Sequence, residues 1–186
     1  MKTLRSGYRR VALVVMLAQM GSAGVLSGQQ FSSRVFGGYG TTTGYGPGVG
    51  ADVGIQFPFP FLVRRPVFLG VWGVYHGGEE FFDEELGIDV EQAISMFGLE
   101  AAGIWLEEPV YIRGSGVLGV ARVSRQPAGG PEVQESNFLL SGGIMIGRRF
   151  GRVVIGLEPT FPLVIGSDVT SMGFALYLTI GYVGGP

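Results

Sequence analysis

The chain has 186 residues, of which 34 are glycine and 15% are charged, and its formal net charge is −2. This length indicates one domain, and the charged fraction lies well below the roughly 25% of an ordinary soluble domain. With no cysteine and one histidine, the sequence excludes disulfides, thiolate metal sites and a multi-histidine metal site within one chain. The net negative charge disfavours nucleic acid as a partner, and we expect no metal and no cofactor.

The first element in chain order is an export signal. A basic segment precedes an apolar run, and small residues follow that run. The basic residues are Lys2, Arg5, Arg9 and Arg10. This order is typical of a secretory signal peptide, and the apolar run is shorter than the roughly 20 residues that a spanning helix needs. We predict a signal peptide over 1–23 and a short segment over 24–30. Cleavage is expected after Ala23, with Gly24 and Gly28 as the alternatives.

Beyond the signal peptide, apolar residues recur at every second position in segments of about ten residues. In 48–57, for example, valine, isoleucine and phenylalanine alternate with glycine, Asp52 and Gln56. The segments are about 33–42, 48–57, 66–76, 97–105, 109–124, 137–147, 153–163 and 172–183. The two faces are less distinct in the first, third and fifth. Ten residues is the length of a tilted strand that crosses a bilayer. The fold class predicted for 31–183 is therefore all-β, a closed antiparallel up-and-down transmembrane β-barrel of about eight strands.

The connections between these segments alternate in length. Short turns are expected near 107–108 and 148–151, and longer loops are expected over 77–95 and 125–135. In outer-membrane barrels the short turns are periplasmic and the longer loops are extracellular. Aromatic residues gather at both ends of the predicted strands, as headgroup girdles do. Residues 88–96 are a candidate short helix within the first long loop.

Pro159 and Pro162 conflict with the predicted seventh strand. A closed barrel has no edge strand, so it does not readily accommodate a residue without an N–H. The strand is therefore expected either to pair only as far as Glu158 or to bulge near the outer rim.

The inward face of the predicted barrel carries a small set of polar residues. They are Asp52, Glu100, Arg113, Glu158 and Tyr177. An eight-stranded barrel is just wide enough for its side chains to fill it. Because lone buried charges are costly, a hydrogen-bonded plug is favoured over a charged pore or proton path. Three acids face one clear base in this set, so either Arg34 is a second cation or one of the carboxyl groups is protonated.

Two further groups of residues have a chemical reading and a simpler structural one. Loop 77–95 is acidic and could offer carboxylates to a divalent cation, but the spacing of a calcium loop is absent, which favours a solvated loop. His76 has no serine beside it, and the nearest one downstream is Ser95. The local signature of a serine hydrolase is therefore missing, so His76 is predicted at a strand end near the outer rim. We do not expect an enzyme.

These features resemble the small outer-membrane barrels, the group that includes the OmpA transmembrane domain and OmpX. The resemblance covers about 31–183 and extends to the end of the chain. There, family members finish on alternating apolar residues and an aromatic that the barrel-assembly machinery reads. Leu176, Leu178, Ile180 and Tyr182 match this pattern, although four residues, 183–186, follow the aromatic here.

The resemblance implies the bacterial outer membrane as location, with outer-membrane lipids, lipopolysaccharide and the assembly machinery as partners. Its members differ in function, so the fold alone leaves several roles open. A non-enzymatic structural or surface-interaction role is favoured. The alternatives are a narrow pore or small-ligand conduit and, more weakly, a soluble periplasmic lipocalin-like barrel. The oligomeric state stays open.

Overall fold

The structure is a computed structural model, and it describes residues 29–41, 45–58, 65–83, 87–107, 109–166 and 170–183. The predicted signal peptide lies outside these residues. No helix long and apolar enough to cross a membrane occurs in the described part of the chain. Its regular structure is all β.

Nine strand segments form one closed antiparallel sheet. They are β1 (Gln30–Gly40), β2 (Gly46–Pro58), β3 (Pro66–Asp83), β4 (Ile88–Glu107), β5 (Val110–Pro127), β6 (Val133–Phe150), β7 (Val153–Ile165), β8 (Thr170–Met172) and β9 (Ala175–Val183). β8 and β9 pair with β7 in one register and together occupy the eighth position of the barrel. β1 pairs with both β2 and β9, which closes the sheet. The predicted up-and-down barrel of eight strands is confirmed.

The predicted alternation of faces is also confirmed. In β4, Leu99 points outward with 67% of its surface exposed, whereas the next residue, Glu100, points inward and is 2% exposed. The same alternation runs through β9, where buried and exposed residues follow one another without a break. In the strands whose faces were indistinct, Arg34 of β1 and Trp72 of β3 are buried in the interior. Large apolar side chains therefore cover the outside of the barrel.

Four strands extend well beyond the rest of the barrel. The end of the barrel at which β1 connects to β2 is called the upper end. The β2–β3 ladder ends there at Gly48 and His76, and the β6–β7 ladder ends at Phe138 and Ile165. The ladders among β3, β4, β5 and β6 continue upward from these points. This four-stranded extension, comprising 79–83, 88–95, 122–127 and 133–137, is named the upper sheet.

The upper sheet corrects two predictions. Of the two predicted long loops, 77–83 and 88–95 belong to β3 and β4, and 125–127 and 133–135 belong to β5 and β6, so 88–96 is strand rather than helix. A β-bulge between His76 and Glu79 shifts the register of β3 where it leaves the barrel. The prediction failed because the alternation with apolar outward residues ends below the upper sheet, whereas backbone pairing continues without it.

Both prolines lie inside a strand that continues past them. β7 keeps one register with β6, but the ladder pairs that would involve Glu158 and Pro159 are missing. On the other side of β7, pairing is interrupted opposite Pro162, between β8 and β9. Each proline thus faces a local gap in one ladder, where no N–H is required. The strand neither ends at Glu158 nor shifts its register there.

Candidate functional site

The centre of the barrel interior is an ion-pair network organised by Arg34. β1 points this guanidinium inward, where Nε donates to Oδ2 of Asp52 at 2.5 Å. Nη1 donates to Oε2 of Glu158 at 2.7 Å, and Nη2 donates to Oε1 of Glu100 at 3.0 Å. All four residues are buried. One guanidinium therefore joins β1 to β2, β4 and β7 across the barrel.

Arg113 adds a second guanidinium to the same network. It is fully buried, and its Nη2 lies 2.8 Å from Oε1 of Glu100 and 3.8 Å from Oδ2 of Asp52. Its nitrogens make no well-directed hydrogen bond with the described residues. Its guanidinium carbon sits 4.0 Å from the centre of the Phe68 ring. Arg113 is held by charge attraction and by stacking on this aromatic face.

The charged cluster, defined as Arg34, Asp52, Glu100, Arg113 and Glu158, is compact and largely paired. Thr179 donates a further hydrogen bond to Oε2 of Glu158 at 3.1 Å. Oδ1 of Asp52 and Oε2 of Glu100 find no partner among the described residues. With three carboxylates and two guanidiniums, the cluster has a formal charge of −1. Removing charges from water costs several kcal/mol each unless partners replace the water.

Tyr177 does not join the charged cluster. Its hydroxyl lies 2.6 Å from Nε2 of His76, and Nδ1 of His76 lies 3.2 Å from the carbonyl oxygen of Gly46. A carbonyl only accepts, so Nδ1 carries the hydrogen and Nε2 accepts from the tyrosine in the neutral ring. His76 is fully buried within β3. The prediction that it lies at a strand end near the rim is wrong, because β3 extends seven residues beyond it.

Two apolar clusters enclose the charged cluster along the barrel axis. The upper cluster contains Phe36, Tyr45, Trp72, Val74, Ile94, Met96, Val117, Ala121, Val123, Leu139, Val164, Ala175 and Tyr177. The lower cluster contains Phe68, Ala102, Ile104, Tyr111, Met145, Val154 and Val183. Mainly apolar side chains therefore lie on both sides of the charged cluster, with buried His76 and Gln92 among the upper ones. This arrangement opposes a continuous path for water or ions.

The acidic β3–β4 hairpin shows no metal centre in the part that the structure describes. No group of three or more histidine, aspartate or glutamate side chains is arranged to hold an ion there or elsewhere in the described ranges. On the neighbouring hairpin, Ser124 and Gln134 donate hydrogen bonds to the Glu132 carboxylate. These bonds hold the pKa of Glu132 below its ordinary value.

Sequence reasoning placed four members of the charged cluster inward but treated Arg34 only as a helper. The reason is local, because 33–42 has glycine on both faces and shows no clear alternation. The balance between inward acids and inward cations could have identified Arg34. The predicted strand segments contain three cations, Arg34, Arg113 and Arg122, and three inward acids need more than one of them.

The fold is shared with solved structures of small outer-membrane barrels. Neisserial surface protein A (NspA) matches with a TM-score of 0.55 and 11% identity, over 85% of this chain and 97% of that one. A major outer membrane protein from Thermus thermophilus matches with a TM-score of 0.56 and 12% identity, over 83% and 98%. The N-terminal β-barrel domain of Pseudomonas aeruginosa OprF matches with a TM-score of 0.52 and 12% identity, over 83% and 96%. No family model matches the chain, and no curated protein matches its sequence significantly. The resemblance to small eight-stranded outer-membrane barrels is thus confirmed as a likeness of fold.

Proposed function

We propose that the protein is a non-enzymatic outer-membrane barrel that is closed to ions and presents the upper sheet outside the cell. The observation that carries this proposal is that the barrel has the inverse polarity of a soluble protein. Apolar side chains cover the outside, and the charged cluster lies sealed inside. A soluble lipocalin-like barrel requires the opposite pattern, with polar residues outward.

The width of the apolar band supports residence in a membrane. On β4, the outward residues from Phe97 to Trp105 are apolar or glycine, whereas Glu91 points outward above them. On β5, the outward residues from Val110 to Val120 are likewise apolar or glycine, and Arg122 follows above. Segments of nine to eleven residues match the length that a tilted transmembrane strand requires.

The upper sheet supports a surface-interaction role. It stands above the apolar band, and its outward face carries exposed Asp89, Glu91 and Arg122 together with Phe82, which is 60% exposed. The β3–β4 and β5–β6 hairpins pair with each other above the apolar band and so form a sheet that a partner can contact. Exposed large apolar residues among charged ones are common where proteins meet partners.

Lipopolysaccharide and the barrel-assembly machinery remain expected partners within this proposal. The outward residues Leu176, Leu178, Ile180 and Tyr182 of β9 are exposed to the lipid side. This is the face on which an assembly factor would read an alternating terminal strand.

Membrane residence is tested by fractionation followed by gel electrophoresis with and without boiling. We expect the protein in the outer-membrane fraction, with the unboiled form migrating differently because the closed barrel resists detergent. Recovery of the folded protein in the soluble periplasmic fraction would overturn the proposal.

The closed interior is tested by adding the purified barrel to planar lipid bilayers. We expect negligible conductance, since apolar layers lie above and below the charged cluster. Reproducible ion-selective single-channel steps would instead favour the narrow pore.

A further inference from the structure

A short basic segment lies at the lower end of the barrel, where β6 turns into β7. Arg148, Arg149 and Arg152 fall within five residues, and Gly151 adopts a positive φ of 62° that closes the turn. Arg149 Nε donates to the carbonyl oxygen of Gly151 at 2.7 Å, and this bond steadies the turn. The other two arginines are exposed.

Arg148 points to the lipid side of the barrel rather than into its interior. It follows the outward Ile144 and Ile146 at the same two-residue spacing, and it is paired with the outward Ile155 of β7. Its guanidinium carbon lies 5.3 Å from the centre of the Phe150 ring. An arginine on the outer face is costly at the bilayer midplane and nearly neutral at the interface. This position therefore marks the lower boundary of the apolar band.

Arg152 lies in the β6–β7 turn, and its side chain contacts the same outer face of the barrel. Its Nη1 donates to the hydroxyl of Tyr182 at 3.3 Å, and its carbonyl oxygen accepts a 2.9 Å hydrogen bond from the N–H of Val183. Register places Phe150, Val153 and Tyr182 in one row across three adjacent strands. The guanidiniums of Arg148 and Arg152 thus lie beside a row of apolar and aromatic side chains, all directed toward lipid.

We propose that Arg148 and Arg152 form a binding site for the phosphate of an anionic phospholipid in the inner leaflet of the outer membrane. The inference rests on the proposed function, because it requires the barrel to lie in a membrane with its lower end periplasmic. Guanidinium groups bind phosphate oxygens through charge-assisted hydrogen bonds. Ile146 lies one outward position above Arg148, and Ile155 lies beside Arg148 on β7, so both offer apolar contact to an acyl chain. Phosphate below and hydrocarbon above is the chemistry of a phospholipid rather than of a protein or free anion.

The test measures lipid preference at the site itself, through the fluorescence of a tryptophan introduced there. Val153→Trp is made in a Trp105→Phe background, so that the reporter lies between Phe150 and Tyr182 while Trp72 stays buried. The refolded barrel is inserted into phosphatidylcholine vesicles with brominated phosphatidylglycerol or brominated phosphatidylcholine. Quenching then gives the relative affinity of the two lipids at this position. Since each arginine near an anionic surface contributes about fivefold, we expect a clear preference for phosphatidylglycerol that weakens with added salt.

Matched variants separate this site from general charge effects. Arg148→Gln with Arg152→Gln should abolish the preference, and each single change should lower it about fivefold. Arg148→Lys with Arg152→Lys should retain most of it. Arg122→Gln with Arg125→Gln removes the same charge at the upper end and should leave it unchanged. Soluble glycerol phosphate should not displace the lipid.

The possible outcomes separate the lipid site from the proposed function on which it rests. A protein that never inserts or never shows heat-modifiable migration contradicts both. An inserted, heat-modifiable barrel with no preference contradicts only the lipid site. So does a preference that survives the double glutamine change, or one that soluble glycerol phosphate abolishes.

Discussion

Arg34 holds an unusual number of buried partners for one side chain, since three carboxylates from three strands converge on its guanidinium. Arg113 contacts part of the same group but relies on one close ion pair with Glu100 and on the Phe68 ring. The two arginines are equally buried, yet their removal leaves different numbers of carboxylates unpaired. Their contributions to stability should therefore differ, although sequence alone pointed to Arg113.

Replacing Arg34 with methionine should lower the free energy of unfolding by roughly 3–5 kcal/mol, because buried carboxylates lose their partner. Arg113→Met should cost clearly less, since methionine can keep contact with Phe68. Urea titration of the refolded barrel in detergent micelles, followed by tryptophan fluorescence, measures both changes. In a double-mutant cycle, Glu158→Gln should couple strongly to Arg34→Met. Equal losses for the two arginines, or additive behaviour in the cycle, would contradict the central role of Arg34.

Neighbouring strands approach each other closely where glycines face one another across them. Three inward cross-strand pairs, Gly54–Gly70, Gly98–Gly119 and Gly147–Gly156, leave no room for a Cβ, which would overlap the backbone of the neighbouring strand. Glycine permits a close backbone approach and a sharp bend. These pairs explain part of the high glycine content.

A matched pair of substitutions on β5 tests this account. A Cβ at Gly119 would overlap the carbonyl oxygen of Phe97, whereas one at Gly116, on the outer face, would meet nothing within 4 Å. Gly119→Ala should therefore destabilise the barrel by at least about 1–3 kcal/mol, and Gly116→Ala should change stability by no more than about 0.5 kcal/mol. The measurements are urea unfolding and heat-modifiable migration. Two alanine variants of equal stability would show that the close strand approach at Gly119 does not require glycine.

At the same scale, the sequence predicted the strands where the outward face is apolar and misjudged them elsewhere. Alternation in 48–57 and 172–183 was decisive, because every second position there has to be apolar. Arg34 was uncertain, because its strand is rich in glycine on both faces. The upper sheet was taken for loops, because its outward positions are charged, as at Asp89 and Glu91, while Val90 and Ile94 are buried. The pattern of apolar outward residues therefore stops there, although the backbone hydrogen bonds continue. The pairing of His76 with Tyr177 depends on register across the closed barrel, which no local pattern encodes.

Charge is distributed unevenly along the whole molecule. The upper sheet and its turns contain most of the acidic residues, whereas the β6–β7 turn at the lower end is basic. Under the proposed orientation, the acidic end faces the outside of the cell. The basic end then faces inner-leaflet headgroups, where arginine and aromatic side chains are favoured. The orientation thus relates the upper sheet to partners and the lower rim to lipid.

This orientation predicts opposite accessibility for two turns of similar local structure. Gly129 in the β5–β6 turn and Gly151 in the β6–β7 turn are both exposed, have positive φ values of 76° and 62°, and have open space around them. A protease recognition sequence inserted after Gly129 should be cut on intact cells, because that turn tops the upper sheet. The same insertion after Gly151 should be cut only once the outer membrane is permeabilised. Heat-modifiable migration of each variant provides the control that its barrel is folded. Cleavage after Gly151 but not after Gly129 on intact cells would reverse the topology and move the proposed phospholipid site to the opposite leaflet.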